Sequence, residues 1–258
     1  MAIKSSGLLI DITRCIGCGA CSDACKEIND LPPEIDDKLT AETWTVVREK
    51  DNDLHVRDLC RHCVEPACVA SCLVAALTKT EHGPVVYDES VCIGCRYCMV
   101  ACPFQVPCFE WHSPNPRIRK CILCEPRVAK GKSTGCAEAC PTEATVFGDR
   151  ETLVEMARAR IKADPERYHD HIYGLDEVGG TAVMFLSPVP FEDLDFNTDL
   201  VNYPLSDITW NILRQVPTIV AGGAVFLGAS YWLFNRREKV KKAEQVVGPG
   251  PKKEADDV

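Results

Sequence analysis

The chain has 258 residues, a formal net charge of −9 and a sequence pI near 5.2. That acidic balance offers no basic field to nucleic acid. Its 17 cysteines are far above ordinary usage, and the odd total excludes any scheme that pairs every cysteine within the chain.

The opening stretch, Met1 to Gly7, has no apolar run and no twin arginine, so it is not read as a secretory signal. The first cysteine group follows: Cys15, Cys18, Cys21 and Cys25, spaced C-x2-C-x2-C-x3-C. Residues 43–59 read as a hairpin, with Trp44 and Val46 on one strand, His55 and Val56 on the other, and Asp51-Asn52-Asp53 at the turn. The second group is Cys60, Cys63, Cys68 and Cys72. Residues 84–87 read as a short strand. The third group is Cys92, Cys95, Cys98 and Cys102, followed by Pro103. Cys108 stands alone. The fourth group is Cys121, Cys124, Cys136 and Cys140, followed by Pro141. Beyond it, 150–162 reads as an amphipathic helix with Asp149 as N-cap and Leu153, Met156, Ala157 and Ile161 on one face. Residues 181–186 read as a strand. Residues 216–234 form an uncharged apolar run, and 235–258 is a charged tail expected to lose order beyond its first turns.

The frame D-x3-C-I-G-C-x2-C-x2-A-C occurs twice, from Asp11 to Cys25 and from Asp88 to Cys102, which points to duplication of a small unit. Its chemistry is that of a [4Fe–4S] cluster. Cysteines three apart in a tight loop can wrap three iron corners. The fourth, four residues on, is expected to start a helix, point away and ligate a neighbouring cluster, so such groups should work in pairs. The following proline suits a helix or turn start. Zinc is disfavoured, because three cysteines within seven residues are crowded for one tetrahedral ion, and only the fourth group has zinc-like spacing. Disulfides are disfavoured by the same crowding.

Three cations lie beside cysteines: Lys120, Arg61 and Arg96. They either offset cluster charge or are ordinary solvated side chains. His62, between Cys60 and Cys63, either donates a hydrogen bond to a cluster sulfur or only packs. Cys108 is read as a small, partly buried residue near the third group rather than a redox thiol. No nucleophile–base pair, phosphate loop or flavin fingerprint is visible, so no catalytic residue is assigned.

The run 216–234 would span about 28 Å as a helix, close to the hydrocarbon thickness of a bilayer. Trp210, Tyr231 and Trp232 lie near its ends. Gly222, Gly223 and Gly228 suit close helix packing in lipid. Arg236, Arg237, Lys239, Lys241 and Lys242 after the run, against Arg214 before it, place the C-terminus in the cytoplasm and the cysteine-rich part outside.

Together these features resemble the iron–sulfur β subunits of complex iron–sulfur molybdoenzymes, nearest the respiratory formate dehydrogenase-N type, and also the hydrogenase-type four-cluster subunit. The residues that carry the resemblance are Cys15-Ile-Gly-Cys18, Leu39 to Arg48, Cys92-Ile-Gly-Cys95, Cys102-Pro-Phe104, Lys120 to Cys124, Glu151 to Ala157, Val178 to Thr181 and the C-terminal span. Lys26 and Leu73 depart from the cysteine–proline pattern. Arg96 to Phe104 and Val189 to Asp195 are as close to the hydrogenase type.

The resemblance implies an α+β fold of two interleaved bacterial-ferredoxin-like two-cluster modules plus one C-terminal transmembrane helix. The divisions would be 7–147 for the four-cluster domain, 148–205 for a cysteine-free extension, 206–235 for the anchor and 236–258 for a cytoplasmic tail. It implies four [4Fe–4S] clusters. Cluster 1 takes Cys15, Cys18, Cys21 and Cys140; cluster 2 takes Cys121, Cys124, Cys136 and Cys25. Cluster 3 takes Cys60, Cys63, Cys68 and Cys102; cluster 4 takes Cys92, Cys95, Cys98 and Cys72. His62 and Lys120 are the candidate supporting residues. The first pair would lie nearer a catalytic molybdenum or tungsten subunit carrying the export signal, and the second nearer a membrane cytochrome b or quinone-reactive partner. The site of action would be a bacterial inner membrane, with the clusters in the periplasm. The alternatives are the same relay in an uptake hydrogenase and an iron–sulfur sensor or assembly protein, the latter poorly served by a membrane anchor.

Overall fold

A computed structural model describes residues 5–247; Met1–Lys4 and the last part of the charged tail, 248–258, lie outside the described residues. The first unit runs through Asp207. In chain order it carries β1 (Ser6–Asp11), α1 (Ala20–Ile28), β2 (Thr45–Lys50), β3 (Leu54–Leu59), α2 (Ala67–Ala70), β4 (Leu77–Lys79) and β5 (Val85–Tyr87). There follow α3 (Tyr97–Ala101), β6 (Cys108–Phe109), β7 (Ile118–Arg119), α4 (Glu125–Val128), α5 (Gly135–Glu138), β8 (Thr145–Asp149), α6 (Arg150–Ala163) and β9 (Val183–Leu186).

β1 organises this unit. It pairs antiparallel with β8 and parallel with β9, and every one of its residues is buried. Its apolar run divides between two sides: Leu8 and Ile10 join a core with Val56, Leu123, Tyr173, Phe185 and Phe196. Leu9 faces Leu153, Val154 and Ala157 of α6 and Met184 of β9. The expected hairpin is β2–β3, with register Thr45 to Leu59 and a turn at Asp51–Asp53 in which Asn52 takes a left-handed conformation. The expected strand at 84–87 is β5, paired with β4. The helix at 150–162 is α6, and Asp149 caps it by accepting from the Glu151 N–H at 3.1 Å.

The helix expectation at the cysteine groups needs correction. The fourth cysteine does not start a helix. Cys25 lies inside α1, while Cys72, Cys102 and Cys140 follow the short helices α2, α3 and α5. The turn of helix therefore lies before the fourth cysteine, and the proline after Cys102 or Cys140 ends it. These helices associate as α1 with α5 and α2 with α3. At the first contact Gly135 meets Ile28, and a Cβ added there would lie 2.0 Å from Ile28 Cδ1, so Ile28 would have to move.

The repeated aspartate has a local cause. Asp11 Oδ1 accepts the Thr13 N–H at 3.1 Å and Asp88 Oδ1 the Ser90 N–H at 2.9 Å, so each turns the chain into the cysteine loop. Asp11 is in addition fully buried and accepts from Arg160 Nη1 at 2.8 Å and Tyr168 Oη at 2.9 Å. It ties the first cysteine loop to α6 and the segment after it.

The second unit begins at Ile208 and holds the rest of α7 (Leu205–Leu213) and all of α8 (Val216–Val247). The stretch is long and apolar enough to cross a membrane, and none of its apolar window is buried. α8 continues past Phe234 to Val247, so helix extends further into the charged tail than its first turns. Arg, Glu, Lys and Ala, all good helix formers, fill every position of 236–244 except Val240. Arg236 folds back over the Trp232 ring at 5.3 Å. A Cβ added at Gly222, Gly223 or Gly228 would meet nothing within 4 Å among the described residues.

Replacing Asp11 with Ala removes one half of a buried ion pair and should cost about 3–5 kcal/mol. The expected result is a lower thermal midpoint for loss of visible cluster absorbance; an unchanged midpoint contradicts this role.

Candidate iron–sulfur sites

The first C-x2-C turn of each group uses one backbone device. The residue before the second cysteine has positive φ: Gly17 at 68°, His62 at 47°, Gly94 at 67° and Leu123 at 54°. That conformation suits glycine and strains His62 and Leu123, which are both buried and fill core space instead. The turn aims backbone N–H groups at sulfur. Leu123 N–H points to Cys121 Sγ at 3.3 Å and Gly94 N–H to Cys92 Sγ at 3.4 Å. Ala76 N–H reaches Cys72 Sγ at 3.2 Å. Such bonds favour the thiolate that a cluster requires.

The thiols fall into mutually repelling sets. Burial first, then Cys21, Cys140 and Cys18, raises the pKa of Cys15, against the Gly17 N–H. Burial pushes Cys25 up to about 12, with Cys136 and Cys124 adding to it and Arg57 opposing. Burial raises Cys63 as well, followed by Cys60, Cys102 and Cys68. Cys68 is pushed up to about 12 by burial, then by Cys60 and Cys102 against Lys120. Cys98 rises to about 11 through burial, then Cys95, Cys72 and Cys92. Cys140 differs: burial pushes it up, but the Thr145 and Ala144 N–H groups, with the hydroxyl and N–H of Thr142, bring it below its ordinary value. Thus thiols of the first group lie beside those of the fourth, and thiols of the second beside those of the third. One enclosed cavity is lined by Cys25, Cys121, Cys124 and Cys136 together with Arg57 and Thr45.

This donor chemistry fits iron–sulfur clusters. Buried thiols that raise one another's pKa need cationic metal to ionise together. Among the described residues no three Cys, His, Asp or Glu side chains converge on a point suited to a single metal ion. A cubane instead needs its thiolates spread around four irons.

The supporting residues are also placed. His62 is buried, and its Nδ1 accepts the Val85 N–H at 2.9 Å. Burial, then Lys120 and Lys79, holds its pKa well below the ordinary value, so the neutral ring carries its proton on Nε2. That Nε2 is buried without a hydrogen-bond partner among the described residues, as a donor aimed at cluster sulfur would be. Lys120 is buried with Nζ on the carbonyls of Val85 and Cys121. Arg61 is buried with its guanidinium 4.2 Å from the centre of the Phe185 ring, so it is not a solvated side chain. Arg96 stacks over Phe109 and Trp111. Lys26, in a proline's place, is buried and ties the loop by donating to the Glu42 carbonyl and Thr43 Oγ1 at 2.9 and 3.0 Å. Cys108 lies half-buried on β6, its thiol on the Val106 carbonyl at 3.4 Å and its pKa raised by burial, then by Cys102.

Arg57 was not anticipated. It is buried in β3, and its charge is surrounded by thiols. Burial would pull its pKa down, but Cys136, Cys21 and Cys121 hold it above its ordinary value. No local pattern in the sequence marks it, since its thiol neighbours come from distant segments.

Comparison with known proteins agrees with this chemistry. Residues 53–150 match a family described as a 4Fe-4S dicluster domain. A protein of Nitratidesulfovibrio vulgaris is 44% identical over 93% of this chain and 70% of its own length. The hydrogenase-2 operon protein HybA of Escherichia coli O157:H7 is 36% identical over 74% of this chain and 72% of its own. The formate dehydrogenase iron–sulfur subunit of Haemophilus influenzae is 32% identical over 87% and 79%. Identity of that level over most of both chains establishes common descent. The chain belongs to the family of iron–sulfur electron-transfer subunits that includes the formate dehydrogenase and hydrogenase-2 proteins.

Gly17→Ala tests the turn device. It keeps a left-handed conformation at a cost of about 1–2 kcal/mol and sets a Cβ 2.1 Å from His55 Cδ2. Iron per chain after chelator challenge should fall. At Gly19 an added Cβ meets nothing within 4 Å, so Gly19→Ala should fall less. Equal loss in the two variants contradicts the packing argument.

Proposed function

We propose, with membership of this iron–sulfur subunit family as the premise, that the chain relays single electrons through four [4Fe–4S] clusters between a catalytic subunit and a membrane partner. The observation that carries the reading is the meeting of thiols from groups distant in sequence, Cys15 with Cys140 and Cys98 with Cys72. Cys15, Cys18, Cys21 and Cys140 would hold one cluster, and Cys25, Cys121, Cys124 and Cys136 its neighbour. Cys60, Cys63, Cys68 and Cys102 would hold the third, and Cys72, Cys92, Cys95 and Cys98 the fourth. The two pairs would form two interleaved ferredoxin-like modules. When bound, each cluster supplies one-electron storage at a potential set by its surroundings.

The chain's own residues do the rest. Backbone N–H groups of Gly94, Leu123 and Ala76 stabilise thiolates. His62 offers a donor, and Arg57 and Lys120 offer buried positive charge. The apolar cores around β1 and β4–β5 exclude water. Cys18 and Cys95 are exposed, beside exposed Ile16, Ile93, Tyr97 and Val100, which suits docking of electron donor and acceptor at two places. No residue here makes or breaks a substrate bond.

The partner that feeds the relay is a molybdenum or tungsten formate dehydrogenase subunit, and the acceptor a membrane cytochrome b or quinone-reactive subunit. Similarity to HybA favours a second reading, the same relay in an uptake hydrogenase. The C-terminal helix would anchor the chain in a bacterial inner membrane. Its arginines and lysines after Phe234 would lie in the cytoplasm and the clusters in the periplasm.

Cys21→Ala should remove one cluster signal and interrupt electron flow, whereas Cys108→Ala should leave all four. Iron counting and low-temperature EPR of the purified complexes decide this, and a full signal set in the Cys21 variant contradicts the relay. Reduction of the clusters by formate but not hydrogen identifies the first partner; the reverse identifies the second.

A further inference from the structure

We infer that Arg57 is a shared positioning residue of the first cluster pair, a single buried guanidinium that raises the potentials of both clusters together. The inference rests on the ligand sets proposed above. Arg57 is 3% exposed. Its Nε donates to Thr45 Oγ1 of β2 at 2.9 Å and its Nη1 to Thr145 Oγ1 of β8 at 3.2 Å. Two uncharged threonines on separate sheets thus fix the plane of the guanidinium without neutralising it.

A buried charge needs a counter-charge. None of the ion pairs among the described residues involves Arg57. Its neighbours are thiols. It shares an enclosed cavity with Cys25, Cys121, Cys124 and Cys136, which are the whole proposed ligand set of one cluster. Cys21, from the set of the other, also lies within its electrostatic reach. The residue therefore stands between two sets rather than inside one.

The consequence is electrostatic. Reduction adds one negative charge to a cluster. A fixed positive charge nearby, screened little in a dry interior, stabilises the reduced form more than the oxidised form. Because arginine stays protonated, this bias does not change with pH. One residue acting on two neighbours keeps their potentials moving in step. Arg57 is not among the main charged neighbours of Cys63, Cys68, Cys98 or Cys102 of the second pair, and Cys68 lies near Lys120.

The test uses the complete purified complex and an EPR-monitored redox titration, with iron content measured alongside. In Arg57→Gln, two of the four clusters should titrate at more negative potential and the other two at the wild-type values. Arg57→Lys should restore most of the shift, since it keeps the charge. Should Arg57→Gln not load iron, Thr145→Val gives the second reading. It releases one anchor of the guanidinium and should move the same two potentials only. Unchanged potentials, equal movement of all four clusters, or a lysine variant that behaves like the glutamine variant each overturn the inference. Fewer than four clusters in the wild-type complex instead overturns the relay on which it rests, so the two failures are distinguishable.

Discussion

Mutual repulsion among buried thiols is the constraint to which the rest of the structure responds. Bringing four sulfurs into a low-dielectric pocket raises their pKa values, by desolvation first and by one another second. A chain that holds such sets must supply compensating charge. Bound iron would supply most of it, and the protein supplies the remainder through N–H groups aimed at sulfur and through buried cations. The left-handed residues at Gly17, His62, Gly94 and Leu123, and the positions of Arg57 and Lys120, follow from that need.

The same constraint explains the architecture around the sites. Thiols shielded from water must sit against apolar surface, so the cores around β1 and around Leu77, Val85 and Ile118 grow directly beside them. The cysteine-free segment after residue 148 is part of this shielding. β9 completes the sheet on β1, and α6 covers the face carrying Leu9. Asp11 joins the two parts through Arg160 and Tyr168. α1 packs on α5 with Gly135 against Ile28, which brings the first and fourth cysteine groups side by side.

Much of this was legible in the sequence, for physical reasons. Cysteine spacing encodes loop geometry directly. The hairpin at 43–59 and the cap at Asp149 carry strong local signals. Which groups share clusters is proposed from family resemblance, because spacing names no partner group. The helix expected at the fourth cysteine was misplaced, since the turn of helix is nucleated by the loop before it. The left-handed conformations of His62 and Leu123 were hidden, because burial rather than local propensity maintains them. Arg57 was passed over because a buried arginine is recognised by its neighbours, which no local pattern reveals. The helical run beyond Phe234 followed ordinary helix propensity that the charge pattern obscured.

The central claim is that ligands cross between groups. Its most direct measurement is low-temperature EPR of the reduced complex carrying Cys25→Ala, Cys136→Ala or Cys15→Ala. The account predicts that Cys25→Ala and Cys136→Ala abolish the same cluster signal, and that Cys15→Ala abolishes a different one. Loss of one common signal in the Cys25 and Cys15 variants, with Cys136→Ala affecting another, would contradict it.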